Sequence, residues 1–283
     1  MIEAAAAGVL DFGTILKDWR QHRRVSQLAL SSHSGISQRH ISFLETGRSK
    51  PSRPMVLALS DSLDIPLRER NALLQSAGYA AVYSERPLAS EETAIFAVAL
   101  KATLDHHEPY PAMVLDGHWN LVMANEGALR FFGLFIDLFA ALEAIGAPQE
   151  FQVARLCLRD EGLKPYIINW HDLAWSFLAR ARRALLVNPR DPHLPVLIDE
   201  IIRHPDAPME WRQPDYSTAP PPVVTMTLAR DGFEYSLFTM LAHFGSAQSV
   251  TLEELSVETF YPANEATRQR LLDLVCARTD LNG

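Results

Sequence analysis

Four polar side chains between Gln38 and Thr46 have the chemistry and spacing needed to contact the edges of base pairs. Gln38, Arg39, Ser42 and Thr46 stand at i, i+1, i+4 and i+8, so they would share one face of a helix. An amide can pair with adenine through two hydrogen bonds, and a guanidinium can pair with guanine in the same way. The pattern predicts a short helix whose outer face reads the major groove of DNA.

The residues around this face predict a helix-turn-helix. Ser37 is a suitable cap for the reading helix, because its hydroxyl can accept an unpaired backbone N–H. Ile41 and Leu44 give the helix an inward stripe, Gly35 marks the turn before it, and Gly47 has the residue type favoured just beyond a helix end. The alternative is a small surface helix with a polar outer face.

Five short helices are predicted for an all-α N-terminal domain of residues 1–80. The first three cover about 11–22, 27–33 and 38–46, the fourth starts within 51–54, and the fifth follows Pro66 and stops at Gly78. Proline near the start of a helix and glycine past its end is the expected arrangement.

Basic charge is concentrated around the helix-turn-helix. The chain has a net charge of −8, but residues 1–80 hold ten Lys and Arg against seven Asp and Glu. Between Lys17 and Arg53 the numbers are eight and two. Such a cluster is typical of phosphate binding. Residues 81–283 carry the remaining −11, so we expect a different task for them.

The N-terminal residues resemble the Xre family of phage-repressor-like DNA-binding domains. The matching positions are Arg20, Gln27, Leu30, Gly35, Ser37, Ile41, Glu45, Gly47 and Pro51. The resemblance implies that Gln27 clamps a phosphate at the positive end of the second helix. It also implies that Gln38 and Arg39 approach base edges, with Ser42 nearby, and that Ser37 belongs to the DNA-binding set. The basic residues after the reading helix would bind the DNA backbone: Arg48, Lys50 and Arg53.

Alternatives remain open for Phe43, which departs from the family pattern, and for the matching pair Arg20 and Glu45. Phe43 stands where relatives often present a polar base-reading side chain, so it either touches a thymine methyl group or packs inward. Arg20 and Glu45 match a family pair that forms a semi-buried salt bridge between the first and third helices. The alternative for this pair is two unrelated surface charges.

Residues 81–107 are predicted to be a linker and a connecting helix, and residues 108–283 an α+β domain. Two Asp-Gly pairs between apolar runs, at Asp116 and Asp231, predict hairpins. The predicted strands are 111–115, 118–124, 223–229, 233–244 and 250–261, and the predicted helices are 125–132, 136–145, 149–158, 168–187, 193–203 and 264–279.

Two strands, a helical insert and three strands resemble the order of a PAS-like sensor fold with about five antiparallel strands. The runs SQRHISFLETGRSKPS, HEPYPAMVLDGHWNLVMAN and VETFYPANEATRQRLL resemble the MmyB-like regulators, and the likeness covers nearly the whole chain. These regulators couple an Xre domain to a PAS-like ligand-binding domain. The resemblance therefore implies a small-molecule effector.

Bulky apolar side chains in the second domain indicate a hydrophobic effector, such as a fatty acid or a similar lipid-like molecule. The candidate lining residues are Phe131, Phe132, Phe135, Phe139, Trp170, Phe177, Phe238 and Met240. The candidate anchors for a carboxylate head group are Arg155, Asn169, Arg182 and His243. The alternative is that the aromatic residues are ordinary core and the polar residues have structural partners.

The sequence contains none of the HExxH, GxSxG, Walker A or GxGxxG motifs, so we expect no enzyme, no metal site and no cofactor beyond the hydrophobic ligand. No apolar run approaches the roughly 20 residues needed to cross a bilayer. The first residues lack the basic region of a signal peptide. Cys157 and Cys276 are solitary, which is typical of reduced, buried thiols. These features predict a cytoplasmic protein without a membrane partner.

A single short reading helix covers only a few base pairs, so we expect a homodimer on a two-fold symmetric operator in double-stranded DNA. The alternative function is a lipid-binding carrier or a protein-interaction module whose helix-turn-helix no longer contacts DNA.

Overall fold

The computed structural model of the chain describes residues 11–88, 90–145, 151–212, 224–245 and 247–279. These residues cluster into two compact units. The first contains the residues up to Glu85 together with Val187–Pro189 and Ala247–Val250, and the second contains the remainder. Each unit has its own hydrophobic core. Parts of several predictions lie outside what the structure describes: residues 1–10 of the predicted first domain, residues 149 and 150 of a predicted helix, residue 223 at the start of a predicted strand, and the side chain of Cys276.

Five helices form the described part of the N-terminal region, which confirms the predicted all-α fold. They are α1 (Phe12–His22), α2 (Gln27–Ser34), α3 (Gln38–Glu45), α4 (Arg53–Ser62) and α5 (Leu67–Ser76). Asp11 caps α1, because its carboxylate accepts the backbone N–H groups of Gly13 and Thr14. The apolar stripes of the helices meet in one core whose most buried members include Leu16, Trp19 and Leu59.

Helices α1 and α3 approach each other closely at Gly13. A Cβ atom on Gly13 would lie 2.4 Å from the carbonyl oxygen of Leu44 and 2.9 Å from that of Glu45. Only a residue without a side chain fits between the two helix backbones at this point. Gly13 therefore fixes how deeply α3 sits against α1.

A five-stranded antiparallel sheet with helices around it forms the second unit, which confirms the α+β prediction. The strands are β1 (Ala112–Leu115), β2 (Leu121–Ala124), β3 (Thr225–Arg230), β4 (Phe233–His243) and β5 (Ser256–Pro262), in the spatial order β2-β1-β5-β4-β3. The helices are α6 (Ala94–His106), α7 (Glu126–Gly133), α8 (Leu138–Ile145), α9 (Gln152–Leu158), α10 (Trp170–Val187), α11 (Leu194–Arg203), α12 (Val250–Glu254) and α13 (Glu265–Thr279). Helices α7 to α11 are the insert between β2 and β3, as expected for a PAS-like order.

The connection between β1 and β2 is longer than the predicted two-residue turn. Asp116 holds it open, because its carboxylate accepts hydrogen bonds from the backbone N–H of His118 and from both the backbone and side-chain amides of Asn120. Trp119 adopts a left-handed backbone with φ of 56°. Strand β2 consequently begins at Leu121.

The start of the last predicted strand is helical. Val250–Glu254 forms α12, and β5 begins only at Ser256. Ser256 is the first residue with partners on both sides, since it pairs with His243 of β4 and with Leu115 of β1. Strands β1 and β4 both end at these partners, so Val250 and Thr251, although β-branched, have no neighbouring strand with which to pair.

Candidate nucleic-acid interface and ligand pocket

Local capping builds the turn between α2 and α3. The Ser26 hydroxyl accepts the backbone N–H of Ala29 at the start of α2. Gly35 ends that helix with φ of 71°, a left-handed conformation that glycine adopts without strain. The Ser37 hydroxyl then accepts the backbone N–H of His40 and caps α3. The capping atoms of Ser37 are thus engaged within the protein.

Helix α3 has the two faces that the sequence predicts. Ile41 and Leu44 are buried in the core. Gln38 and Arg39 are exposed at its N-terminal end, and Ser42 is half-buried one turn later. An exposed amide and an exposed guanidinium at the start of a helix are suitably placed to contact base edges in a major groove.

Phe43 is half-buried and lies under the Arg39 side chain. The guanidinium carbon of Arg39 is 5.4 Å from the centroid of the Phe43 ring, which is within the range of a cation–π contact. Neither alternative for Phe43 anticipated this contact. In the free protein the ring supports the guanidinium that is predicted to read a base.

Arg20, Glu45 and Gln27 form one hydrogen-bonded network across α1, α2 and α3. Arg20 donates from Nε and Nη2 to the two carboxylate oxygens of Glu45, at 2.5 and 2.9 Å. The Gln27 amide donates to Glu45 at 2.8 Å, and Arg20 also donates to the carbonyl of Val25. The hydrogen bond with Glu45 raises the pKa of Arg20. The side-chain amide of Gln27, the predicted phosphate clamp, is thus held in place by its hydrogen bond to Glu45.

Three basic side chains follow α3. Arg48, Lys50 and Arg53 are all exposed, and Arg53 is the first residue of α4. Long flexible cations beside a reading helix suit contacts with phosphates. Together with Gln38 and Arg39 they give the first unit an exposed polar and basic surface.

An apolar cavity of about 330 Å³ lies inside the second unit. The sheet forms part of its wall, and helices α7 to α10 form most of the rest. Its apolar lining includes Phe132, Leu142, Leu173, Phe177, Met226 and Phe260. This volume lies at the lower end of the range of about 300–1,000 Å³ typical of small-molecule sites.

Two charged side chains reach the wall of this cavity. Arg180 of α10 and Glu258 of β5 approach to 4.0 Å between Nη1 and Oε2. The Arg180 guanidinium also lies 4.3 Å from the centroid of the Trp119 ring. Burial lowers the pKa of Arg180 and raises the pKa of Glu258, although each charge partly opposes the shift of the other. The charged form of each group is therefore costly at this position.

Among the described lining residues, the remaining polar ones are Ser176, Thr239 and Cys157. A side-chain hydrogen bond with Thr239 acts to lower the pKa of Glu258, against the effect of burial. Burial raises the pKa of the Cys157 thiol to about 12, and the charge of Glu258 adds to this shift. Cys157 therefore remains a protonated thiol, which is a poor nucleophile.

Only two of the eight predicted lining residues, Phe132 and Phe177, line this cavity. Phe131, Phe135 and Trp170 are buried in the surrounding core, where Phe131 and Phe135 pack edge-to-face against Tyr235. For the other three residues the predicted lining role is wrong, because of their position in the fold. Phe139 is 62% exposed, Met240 is 57% exposed, and Phe238 stacks on Tyr261. Phe238 and Met240 alternate along β4 with Thr239 and Leu241, which do line the cavity.

None of the four predicted anchors lines this cavity. Arg155 is paired with Glu200, and the Asn169 side chain bridges the backbone of β3 by donating to the Thr225 carbonyl and accepting from the Thr227 N–H. The two remaining candidates are Arg182, which donates to the carbonyl of Trp211, and His243, which is exposed. These partners favour a structural role for the first three.

The sequence contained a signal for the two charged lining residues. Arg180 is at i+7 from Leu173 and i+3 from Phe177, so it falls on the apolar stripe of its helix. Glu258 is two residues from Phe260 along β5, so both side chains lie on the same face of the strand and the carboxylate takes an inward position. A charged residue at an apolar position of a helix, together with another at an inward position of a strand, indicates a buried polar site. Residue type alone, which was the basis for the four predicted anchors, does not give this indication.

Over the described ranges, no group of three or more His, Cys, Asp or Glu side chains is placed to hold a metal ion. Within the same ranges, no helix combines the length and apolar character that crossing a membrane requires.

Two family models match the chain. Residues 97–274 match the MmyB-like transcription regulator ligand binding domain, and residues 16–70 match a helix-turn-helix domain. No curated protein matches the chain. Among solved structures, that of an RNA-binding light-oxygen-voltage receptor is similar at 17% identity and a TM-score of 0.22. The alignment covers 96% of this chain and 66% of that one, and at this score it supports no conclusion.

Proposed function

Since the chain belongs to the MmyB-like transcription regulators, a family of ligand-regulated DNA-binding proteins, we propose that α3 reads a specific operator sequence. One observation carries the proposal. Gln38 and Arg39 project from a capped helix whose opposite face is buried, within a segment where basic residues outnumber acidic ones by eight to two. We propose base contacts for Gln38, Arg39 and Ser42, and phosphate contacts for Gln27, Arg48, Lys50 and Arg53.

We also propose that the protein acts in the cytoplasm as a homodimer on a two-fold symmetric operator and has no catalytic role. The eight residues of α3 span only a few base pairs, so two copies are needed for a useful site length. This arrangement sets an expectation for the operator, namely two half-sites about one helical turn of DNA apart.

The proposed effector is a fatty acid or another molecule with an apolar chain. The cavity supports this choice, because most of its lining is aliphatic or aromatic and its volume suits a small molecule. If the protein has two conformations that differ in DNA affinity, a ligand that binds one of them more tightly shifts the protein toward that conformation. The change in DNA affinity is limited by how much more tightly the ligand binds the favoured conformation.

Salt dependence of binding to the DNA upstream of its own coding sequence tests the DNA-binding part. With about six phosphate contacts, log K should fall against log salt with a slope near −5. Arg39→Ala should erode the preference for the operator over unrelated DNA, whereas Lys50→Ala should weaken binding to all sequences alike.

Equal loss of preference in both variants would contradict the division between reading and phosphate-binding residues. An absence of salt-dependent DNA binding, together with retained ligand binding, would instead favour a lipid-binding carrier. That second candidate is supported by the cavity alone.

A further inference from the structure

We propose that Arg180 binds the carboxylate of an amphiphilic ligand at the cavity wall, and that Glu258 takes up a proton as this ligand binds. The proposal rests on the proposed role of the cavity as the effector site. Beyond that role, it assigns the residue that holds the anionic head group of the effector and the residue that adjusts the charge of the site.

The geometry of Arg180 leaves its hydrogen-bonding edge available. Among the described residues, no hydrogen bond joins its guanidinium to another group, since the nearest Glu258 oxygen is 4.0 Å away. One face of the guanidinium lies against the Trp119 ring. A guanidinium has five N–H donors in a planar fork, and a carboxylate matches this fork with two parallel hydrogen bonds.

The charge balance of the site then involves Glu258. Before a ligand binds, the described lining residues include one positive and one negative side chain, which offset each other within a mostly apolar wall. A second carboxylate would leave an excess negative charge there, and an uncompensated charge away from water is costly. A proton on Glu258 removes this excess and gives the carboxyl group a donor for the ligand.

The surroundings of Glu258 favour this protonation. Within the described part of the chain, the groups that face it are Arg180 from α10, the Cys157 thiol from α9 and the Thr239 hydroxyl from β4. Cys157 stays neutral and adds no charge. The positive charge of Arg180 opposes protonation of Glu258. When Arg180 pairs with a ligand carboxylate instead, this opposition weakens and the pKa of Glu258 rises further.

Binding of dodecanoate and dodecanol to the full-length protein tests the selection of the head group. These two molecules share one chain length and differ in the head group. We expect dodecanoate to bind about tenfold or more tightly than dodecanol, since a charge-assisted bidentate pair is lost with the alcohol. Arg180→Met should remove this preference and still bind dodecanol, whereas Arg183→Met, an exposed arginine on the same helix, should behave as the wild type.

Proton uptake tests the role of Glu258. Calorimetry in buffers of different ionisation enthalpy should show about one proton taken up per dodecanoate bound, and log K should fall with rising pH with a slope approaching −1. Glu258→Gln should abolish both effects and keep the preference for dodecanoate. This variant decides the question even if Arg180→Met does not fold.

The outcomes separate the two levels of the proposal. Equal affinity for both probes, or an unchanged preference in Arg180→Met, would overturn the head-group site and leave the cavity as an effector site. Dodecanoate binding without proton uptake would overturn the role of Glu258. If neither probe binds, the effector function of the cavity fails as well.

Discussion

Glu45 connects three helices of the DNA-binding unit through its two carboxylate oxygens. Its side chain is 3% exposed and that of Arg20 is 12% exposed, so the pair is largely shielded from water. An ion pair of this kind contributes little net stability compared with apolar residues, but removing one partner leaves an uncompensated buried charge. The pair therefore matters most when it is broken.

Arg20→Ala should lower the free energy of unfolding by about 3–5 kcal/mol, because it strands the Glu45 carboxylate. Chemical denaturation measures the loss, with Arg48→Ala as a control at an exposed arginine. DNA binding should weaken only as a consequence of unfolding. A wild-type melting temperature in Arg20→Ala would contradict this account.

Phe43→Leu should weaken operator binding by roughly two- to fivefold, because it removes the aromatic face that supports Arg39 and keeps an apolar side chain. Phe43→Tyr retains the ring and should bind nearly as the wild type does. Titration of labelled operator measures both. Equal affinity in the leucine and tyrosine variants would show that the Arg39 contact has no role in reading.

Residue types alone did not identify the polar groups of the cavity. Arg180 and Arg182 are two positions apart on α10, which places them on different faces of the helix. Arg180 lines the cavity, and Arg182 bonds the Trp211 carbonyl instead. Leu173 and Phe177 lie on the same face of α10 as Arg180, so helical periodicity separates the two arginines where residue type does not.

At the scale of elements, the position of α3 depends on its close approach to α1. Gly13→Ala should lower the stability of the first unit by about 1–3 kcal/mol, because the added Cβ would meet the Leu44 and Glu45 carbonyl oxygens and neither backbone can give way easily. Gly133→Ala provides a control, since nothing lies within 4 Å of its added Cβ. Thermal melts of both variants make the comparison, and a neutral Gly13→Ala would show that the two helices can separate.

A histidine links the β1–β2 connection to the start of α11. His118 Nε2 lies 3.1 Å from Asp191, whose other carboxylate oxygen accepts the backbone N–H groups of His193 and Leu194. The hydrogen bond with Asp191 raises the pKa of His118, and burial opposes this shift. Asp116 and Glu254 contribute further in the raising direction.

His118→Gln should therefore destabilise the protein more at low pH than at high pH. A histidine with a raised folded pKa stabilises the fold below its unfolded pKa of about 6.5, and the contribution disappears as the pH rises through the folded value. The side chain is 32% exposed, so the effect should be at most about 1 kcal/mol. Denaturation at about pH 5.5 and pH 8.5 tests this, and a difference that does not change with pH would contradict it.

The elements themselves were largely predictable, whereas the side chains that face the cavity were not. Capping residues, helical periodicity and Asp-Gly pairs are local signals, and they placed the five N-terminal helices and both hairpins. Which face of β4 turns inward depends on its register with β5, where Leu241 pairs with Glu258. Met240 was predicted for its bulky apolar side chain, but neighbouring residues of a strand face opposite sides, and Leu241 lines the cavity instead.

At the scale of the whole molecule, charge is distributed unevenly along the chain. A protein with a net charge of −8 would be expected to avoid a polyanion, but the excess of acidic residues lies in residues 81–283. Between Lys17 and Arg53, basic side chains outnumber acidic ones by eight to two, so the segment around α3 carries a positive excess of its own. Net charge alone would therefore have hidden the DNA-binding surface.

The contact between Trp119 and Arg180 should make Trp119 a fluorescence probe for the proposed ligand. The indole is 5% exposed and lies 4.3 Å from a cation whose partner should change when an anionic molecule enters. The fluorescence emission of an indole responds to nearby charge, so ligand binding in the cavity should change the emission of Trp119 without an attached dye. Replacing the other four tryptophans of the chain by phenylalanine would isolate this single emitter.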